Sequence, residues 1–255
     1  MTRSGTTGAL AAVAIVGLLA GCSAQQRADS QRTAGAAVAQ GQRAANAVVD
    51  DVTAIQPSEL QVIVDKARTT VQEAGRDPAF GASPQLLREA RAVVIIPDAI
   101  KAALVLGGQG GQGVMLTRNQ TGWSYPAFVT YSVASAGPQI GVESADVVIF
   151  AMSERALQGL LQNEVKIGAQ AGLTAITLGS NTKLATTPKL DADIIVWAKS
   201  QGAYAGLTVE GAVVAVREAA NQAYYGRPVT TADILRGGVS NPAADPLRRA
   251  LPPAR

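Results

Sequence analysis

The chain has 255 residues, 47% of them hydrophobic and 16% charged, with a formal net charge of +3 and no histidine. That is apolar material for one sizeable core, with too little charge to suggest a disordered chain or a nucleic-acid binder. The missing histidine removes Ser-His-Asp and Cys-His catalysis, histidine zinc sites and histidine-ligated haem or copper. The single cysteine, Cys22, removes intrachain disulfides and cysteine zinc sites.

At the N-terminus, Arg3 precedes the apolar run Ala9 to Leu19, which then meets Leu19-Ala20-Gly21-Cys22. The run is too short to span a bilayer, which takes about 20 helical residues, and reads as a secretion signal over 1–21. Its L-A-G-C ending resembles the bacterial lipobox, which implies a diacylglycerol thioether on Cys22, cleavage before it, and further acylation of the new amino end. One acyl chain holds a protein marginally and two or more hold it stably. Loss of residues 1–21 lowers the formal charge by one, through Arg3, and leaves no strong steering field.

Residues 22–56 are rich in Ala, Gln and Arg, and read as a lipidated tether. Pro57-Ser58, with Gln61 three residues after the serine, looks like a capping box. Leu60, Ile63, Val64, Ala67 and Val71 follow at helical spacing, predicting a helix from Glu59 to Ala74 stopped by Gly75. Ser83-Pro84 opens a short second helix through Ala90.

From Ala92 the period changes. Short apolar, largely β-branched runs at 92–96, 103–106, 114–117, 127–132, 147–151, 173–177, 194–198, 204–209 and 213–216 alternate with Gly, Pro, Asn or Ser. Ser153 is expected to cap a helix carrying Ala156, Leu157, Leu160 and Leu161, and Thr231 to open one through Leu235, ended by Gly237-Gly238. Four prolines after Asn241 make 239–255 read as a mobile tail. Strands do not alternate with long helices, so the fold class is α+β: a mostly antiparallel sheet, open or closed into a barrel, with N-terminal and peripheral helices.

Gly108, Gly110 and Gly113 spell G-x-G-x-x-G, but a dinucleotide site needs a helix after the glycines and an acid about 20 residues on. A strand-like run follows Gly113, and the first acid beyond it is Glu143. The run Gly107–Gly113 is expected instead to be a bend or bulged turn between two strands, beneath Trp123 or Tyr125. Two carboxylate pairs, Asp191/Asp193 and Glu143/Asp146, read as solvated charges beside strands rather than acid–base or metal-binding pairs. Ser-Lys catalysis is not expected, and neither an enzyme, a cofactor nor a metal site is anticipated.

Several segments, taken in order, resemble one family: Ala103 to Val114 (ALVLGGQGGQGV), Gly122 to Ala127 (GWSYPA), Gly137 to Val142 (GPQIGV), Ser200 to Leu207 (SQGAYAGL) and Tyr224-Tyr225-Gly226. The set is similar to the SYLF domain, a lipid-binding family with actin-regulating yeast members, over about Ser58 to Gly238, giving a domain at 57–238. The resemblance implies phospholipid binding. Phosphoinositides and actin are not expected as partners in a bacterial envelope.

The expected function is thus a membrane-anchored envelope lipoprotein with a phospholipid-binding module. Candidate lipid contacts are Lys66, Arg68, Arg91, Lys101 and Arg118, each contributing roughly 1 kcal/mol near an anionic surface, with Trp123 and Tyr125 at the interface. The alternative is a scaffolding lipoprotein that binds envelope proteins. A lipid-handling protein would need a cavity, which Ala- and Gly-rich strands leave open. In a Gram-negative cell, Ser23 after the cysteine lacks the aspartate of inner-membrane retention and points to the outer membrane, facing the periplasm.

Overall fold

A computed structural model of the chain describes residues 55–77, 83–103, 106–120, 122–136, 141–162, 164–167, 173–179, 192–201 and 211–253. Cys22, the tether and the expected strand at 204–209 lie outside the described residues.

The first helix, α1, spans Pro57–Arg76. Proline in its first turn costs no hydrogen bond, and Leu60, Val64, Ala67, Val71 and Ala74 recur every three or four residues on one buried stripe. Burying each of the larger aliphatic side chains contributes roughly 1.5–3 kcal/mol. The Ser58/Gln61 capping box does not form: Gln56 is the N-cap and no side chain caps the helix. Gln61 is used elsewhere, donating to the Ala243 carbonyl (3.2 Å) and accepting from the Tyr224 hydroxyl (2.7 Å). Gly75 does not stop the helix, which continues to Arg76. A short helix, α2 (Ser83–Glu89), leads into the sheet.

The strands are β1 (Ala92–Ala103), β2 (Leu106–Asn119), β3 (Gly122–Trp123), β4 (Ala127–Ala136), β5 (Gly141–Ala151), β6 (Glu164–Lys166), β7 (Ala175–Gly179), β8 (Ile194–Gln201) and β9 (Val213–Val216). They pair in the order β6-β9-β4-β2-β1-β5-β8-β7, with β3 on β2. Every pairing is antiparallel except β7 with β8. The outer strands β6 and β7 do not meet among the described residues, so the sheet is open and the barrel alternative is set aside. The α+β assignment holds.

Both sheet faces are buried, which is why the strands read as continuous apolar runs. Val93 and Ile95 of β1 join a first cluster with Val114, Leu116, Val148 and Phe150, beneath α1 and α2. Their neighbours Val94 and Ile96 face the other way, with Met115, Val129, Val147 and Ile149. That second face also packs against α3 (Glu154–Leu160) through Ala156 and Leu160, and against α5 (Thr231–Leu235) through Ile234 and Leu235. Between β9 and α5 lies α4 (Glu218–Tyr225).

The expected cap at Ser153 forms, accepting from the Ala156 amide. Thr231 is the first residue of α5, but its cap is the preceding Thr230, which makes a capping box with Asp233.

The glycine run is not a turn between strands: it lies inside β2, paired with β4 throughout and with β1 as far as Gly110. The irregularity is in the partner. From Ile95 to Ile100, β1 advances five residues while β2 advances four, Val114 to Gly110, leaving one extra residue in β1. This bulge holds Pro97, which has no amide hydrogen, and Asp98, whose φ of 51° is left-handed. It swings Ile96 over β2, where a Cβ at Gly111 would come 2.7 Å from Ile96 Cγ2, and one at Gly113 would overlap the Ile95 carbonyl. Glycine is needed there for close approach of β1, not for Trp123, Tyr125 or a phosphate.

The segment 239–255, expected to be mobile, is built into the core as far as it is described. A 3-10 turn (Pro242–Ala244) leads into α6 (Asp245–Ala250), and Leu247 and Leu251 are 1% and 4% exposed. Pro242 and Pro246 sit in the first turns of these helices, where they start structure and do not prevent it, and Pro252 and Pro253 follow the end of α6. Among the described residues no helix is long and apolar enough to cross a membrane.

Candidate functional site

The sequence candidates separate into two regions of opposite character. In the first, three of them form a packed knot that holds the C-terminal segment. Arg118, near the end of β2, donates through Nε to the Ala90 carbonyl (2.9 Å), through Nη2 to Leu87, and through Nη1 to Pro252 (3.5 Å). Its guanidinium lies over Trp123, 4.3 Å from the ring centre, and burial lowers its pKa. Trp123 is 3% exposed and donates to the Pro252 carbonyl at 2.7 Å.

Tyr125 repeats the arrangement with α6. Its hydroxyl donates to Asp245 Oδ1 (2.8 Å), while Arg248 stacks 4.1 Å over its ring and donates to the Trp123 carbonyl (2.9 Å). Burial raises the Tyr125 pKa, and the hydrogen bond from Tyr125 lowers that of Asp245.

The two adjacent tyrosines, Tyr224 and Tyr225, extend this packing. Tyr224 meets Phe128 edge to face at 5.0 Å, and the Tyr225 hydroxyl donates to the Pro126 carbonyl at 2.8 Å. Gly226 follows in the left-handed conformation that ends α4 (φ 65°). Buried Asn221 ties the same helix to the sheet, accepting from the Phe128 amide (2.7 Å) and donating to Thr231 Oγ1 (2.9 Å). Arg118, Trp123 and Tyr125 are therefore joints that fix the C-terminal segment, Trp123 buried and Arg118 and Tyr125 half-buried.

The second region is the outer surface where α1 crosses the β1 bulge. Lys66 Nζ lies 2.7 Å from Asp98 Oδ2, with both side chains about half exposed. The Asp98 amide donates to Asp146 Oδ1 (3.0 Å), which also accepts from Thr70 Oγ1 (3.2 Å). Burial raises the Asp146 pKa. Beside it, Lys199 pairs with Glu73 at 2.8 Å, and that hydrogen bond raises the lysine pKa.

Val62, one turn before Lys66, and Ile100, two residues past Asp98, are each 52% exposed, the large apolar side chains most open to solvent among the described residues. Arg68 is also on α1, half-buried, with its Nε unpartnered. Lys101 follows Ile100 in β1, paired with Gln109 and Glu143; its side chain lies outside the described residues. Arg91 stands apart, in an exposed pair with Glu154 at 3.0 Å.

Of the two carboxylate pairs, Asp191 and the Glu143 side chain lie outside the described residues. Asp193 and Asp146, expected to be solvated, are buried. Asp193 accepts from Ser153 Oγ (2.6 Å), Arg155 (2.6 Å) and Thr174, and the Ser153 bond leads in holding its pKa well below the carboxylate range. It fixes the start of α3. No group of three or more Cys, Asp or Glu residues is placed to hold a metal among the described residues. One Ser-Lys spacing that the sequence expectation missed, Ser180-Asn181-Thr182-Lys183, lies outside them.

The residues missed at the knot are Asp245 and Arg248. The signal for them was available: Asn241-Pro242 and Asp245-Pro246 are each a capping residue followed by proline.

The architecture defines an α+β domain with an open, mostly antiparallel sheet covered on its first face by α1, against which the C-terminal helix α6 packs. The family model described as Ysc84, "Las17-binding protein actin regulator", matches residues 132–254, past Gly238 and through α6. Protein YSC84 of Saccharomyces cerevisiae is 34% identical over 181 residues, 68% of this chain and 38% of that protein. LAS seventeen-binding protein 3 of the same yeast is 32% identical over 181 residues, 68% of this chain and 39% of that protein. The human SH3 domain-containing YSC84-like protein 1 is 27% identical over 160 residues, 62% of this chain and 46% of that protein. Through this domain the chain belongs to the Ysc84 (SYLF) family. It spans less than half the length of these relatives.

Proposed function

We propose that this protein is a lipid-anchored envelope module that touches a phospholipid surface through the outer face of α1 and the β1 bulge, and that it is not an enzyme. The carrying observation is that half-exposed Val62 and Ile100 belong to the two elements joined by the Lys66–Asp98 pair, Val62 one turn before Lys66 and Ile100 two residues past Asp98. Exposed apolar side chains gain by entering the interface, and a nearby lysine gains roughly 1 kcal/mol from an anionic leaflet. The lipobox at Cys22 supplies the anchor, and outer-membrane attachment facing the periplasm follows for a Gram-negative source. The contact site is smaller than the sequence candidates suggested: Lys66 with Arg68 and Lys101 remain, while Arg118, Trp123 and Tyr125 leave the set.

The test uses full-length Cys22→Ser protein and vesicles of phosphatidylglycerol or phosphatidylcholine across a salt series. Binding to phosphatidylglycerol that weakens with salt supports the reading; equal indifference to both vesicles removes it.

A second reading is favoured by the relatives' names, which describe Las17-binding and SH3 domain-containing proteins. In that reading the same outer face docks a protein, and the acyl chains alone hold the membrane. Indifference to vesicles, with Val62 and Ile100 protected from hydrogen exchange when an envelope partner is added, would favour it.

A further inference from the structure

Two polar atoms sealed against the second face of the sheet have no hydrogen-bond partner: the Tyr131 hydroxyl and Gln109 Nε2. Tyr131 is 0% exposed and Gln109 4%. Both β4 and β2 run regularly here, and Tyr131 pairs with Gly111, two residues from Gln109. Alternation puts Gln109 on the same face as Gly111 and Met115, and Met115 belongs to the same apolar cluster as Tyr131. Diagonal neighbours of this kind are about 7–8 Å apart at the backbone, within reach of a tyrosine and a glutamine. Buried donors are almost always paired, so two orphans on the same face of neighbouring strands point to a missing partner.

The surroundings set that partner's chemistry. The cluster around Tyr131 is built from Ile96, Ala99, Val129, Val133 and Val214. Burial alone raises the phenol's pKa, with no contribution from a neighbouring charge. An anion here would be desolvated without a counter-charge, which is prohibitive. Both orphan groups can donate, so what fits is a neutral oxygen acceptor carried on an apolar body.

The geometry points to a buried site in which Tyr131 Oη and Gln109 Nε2 donate to the carbonyl oxygen of a neutral acyl ester, whose hydrocarbon part packs against the second face. This goes beyond surface contact with a membrane and does not depend on it, because the site lies on the opposite face of the sheet from α1.

Thermal unfolding of the full-length Cys22→Ser protein, titrated with monocaprylin and separately with octanoate, tests the assignment. Tyr131→Phe and Gln109→Leu provide the comparison. A saturable rise in Tm with monocaprylin, larger than with octanoate, is expected. Without ester each variant should be as stable as its parent or more so, since an unpaired polar group has been removed. Each should also need at least tenfold more ester for half the shift.

Three results would overturn the proposal: no saturable shift in the parent, an undiminished shift in both variants, or ligand-free variants less stable than the parent. The last would mean that a water molecule already partners these groups. Vesicle binding through the α1 face should be unchanged by Tyr131→Phe, so this proposal and the surface reading fail separately.

Discussion

The knot at Trp123 and the outer face of α1 each combine basic and apolar side chains and put them to opposite uses. At the knot, arginine and aromatic side chains are buried or half-buried, and their donors meet carbonyls or a carboxylate: Ala90 for Arg118, Pro252 for Trp123, Asp245 for Tyr125 and Trp123 for Arg248. On the outer face, lysine and aliphatic side chains are half in solvent, joined by exposed ion pairs worth about 0–1 kcal/mol. A basic residue near an aromatic or aliphatic neighbour thus says little about binding until its burial is known. Stability should track the first region and membrane contact the second.

The largest break is expected at Trp123. Trp123→Ala empties a packed site and removes the shorter of the two hydrogen bonds to the Pro252 carbonyl, so destabilisation of about 3–5 kcal/mol is expected from urea unfolding. Leu247→Ala should cost about 2–5 kcal/mol for the same reason, and would show that the segment past Gly238 is part of the folding unit. A change under about 0.5 kcal/mol at Leu247 would mean the C-terminal helix packs only loosely in solution.

Two carboxylates sharpen the contrast through pH. Asp193 has a depressed pKa in the folded protein, so its stabilising contribution is present above the ordinary carboxylate value, near 3.9, and is lost as pH falls below it. Asp146, beneath the outer face, has a raised pKa from burial. Its folded form favours the proton, so its contribution is present below the ordinary value and is lost as pH rises through the folded one. In melting curves against pH, Asp193→Asn should therefore flatten the acid limb below about pH 4. Asp146→Asn should instead remove a decline beginning near pH 4, while keeping an acceptor for Thr70 and the Asp98 amide.

The smallest stability effect belongs to Lys66. Lys66→Ala removes one exposed pair and should change stability by less than about 0.5 kcal/mol, yet reduce binding to anionic vesicles by several-fold.

Much of the fold was legible because periodicity carries burial directly. The stripe Leu60, Val64, Ala67, Val71 predicted α1, and the β-branched runs predicted most of the sheet. The glycine run was harder to read because its cause lies in another strand: nothing near Gly111 reveals that Pro97 and Asp98 push Ile96 across it. Helix α4 was missed because EAANQAYY offers mainly alanine and tyrosine to the pattern, and its N-cap, Arg217, makes no side-chain cap bond. For the site, residue type identified Arg118, Trp123 and Tyr125 as noteworthy but could not reveal their partners, which lie up to 134 positions away. Val62 and Ile100 fell outside the predicted stripe and strand runs, and only packing shows that they are half exposed.

The most direct measurement is co-sedimentation of full-length Cys22→Ser protein with phosphatidylglycerol vesicles at low salt, beside the same protein carrying Val62→Asp and Ile100→Asp. The account predicts that the parent sediments with the vesicles and the double variant stays in solution, with the same urea midpoint for both. Equal sedimentation of the two proteins, or none by the parent, would contradict it.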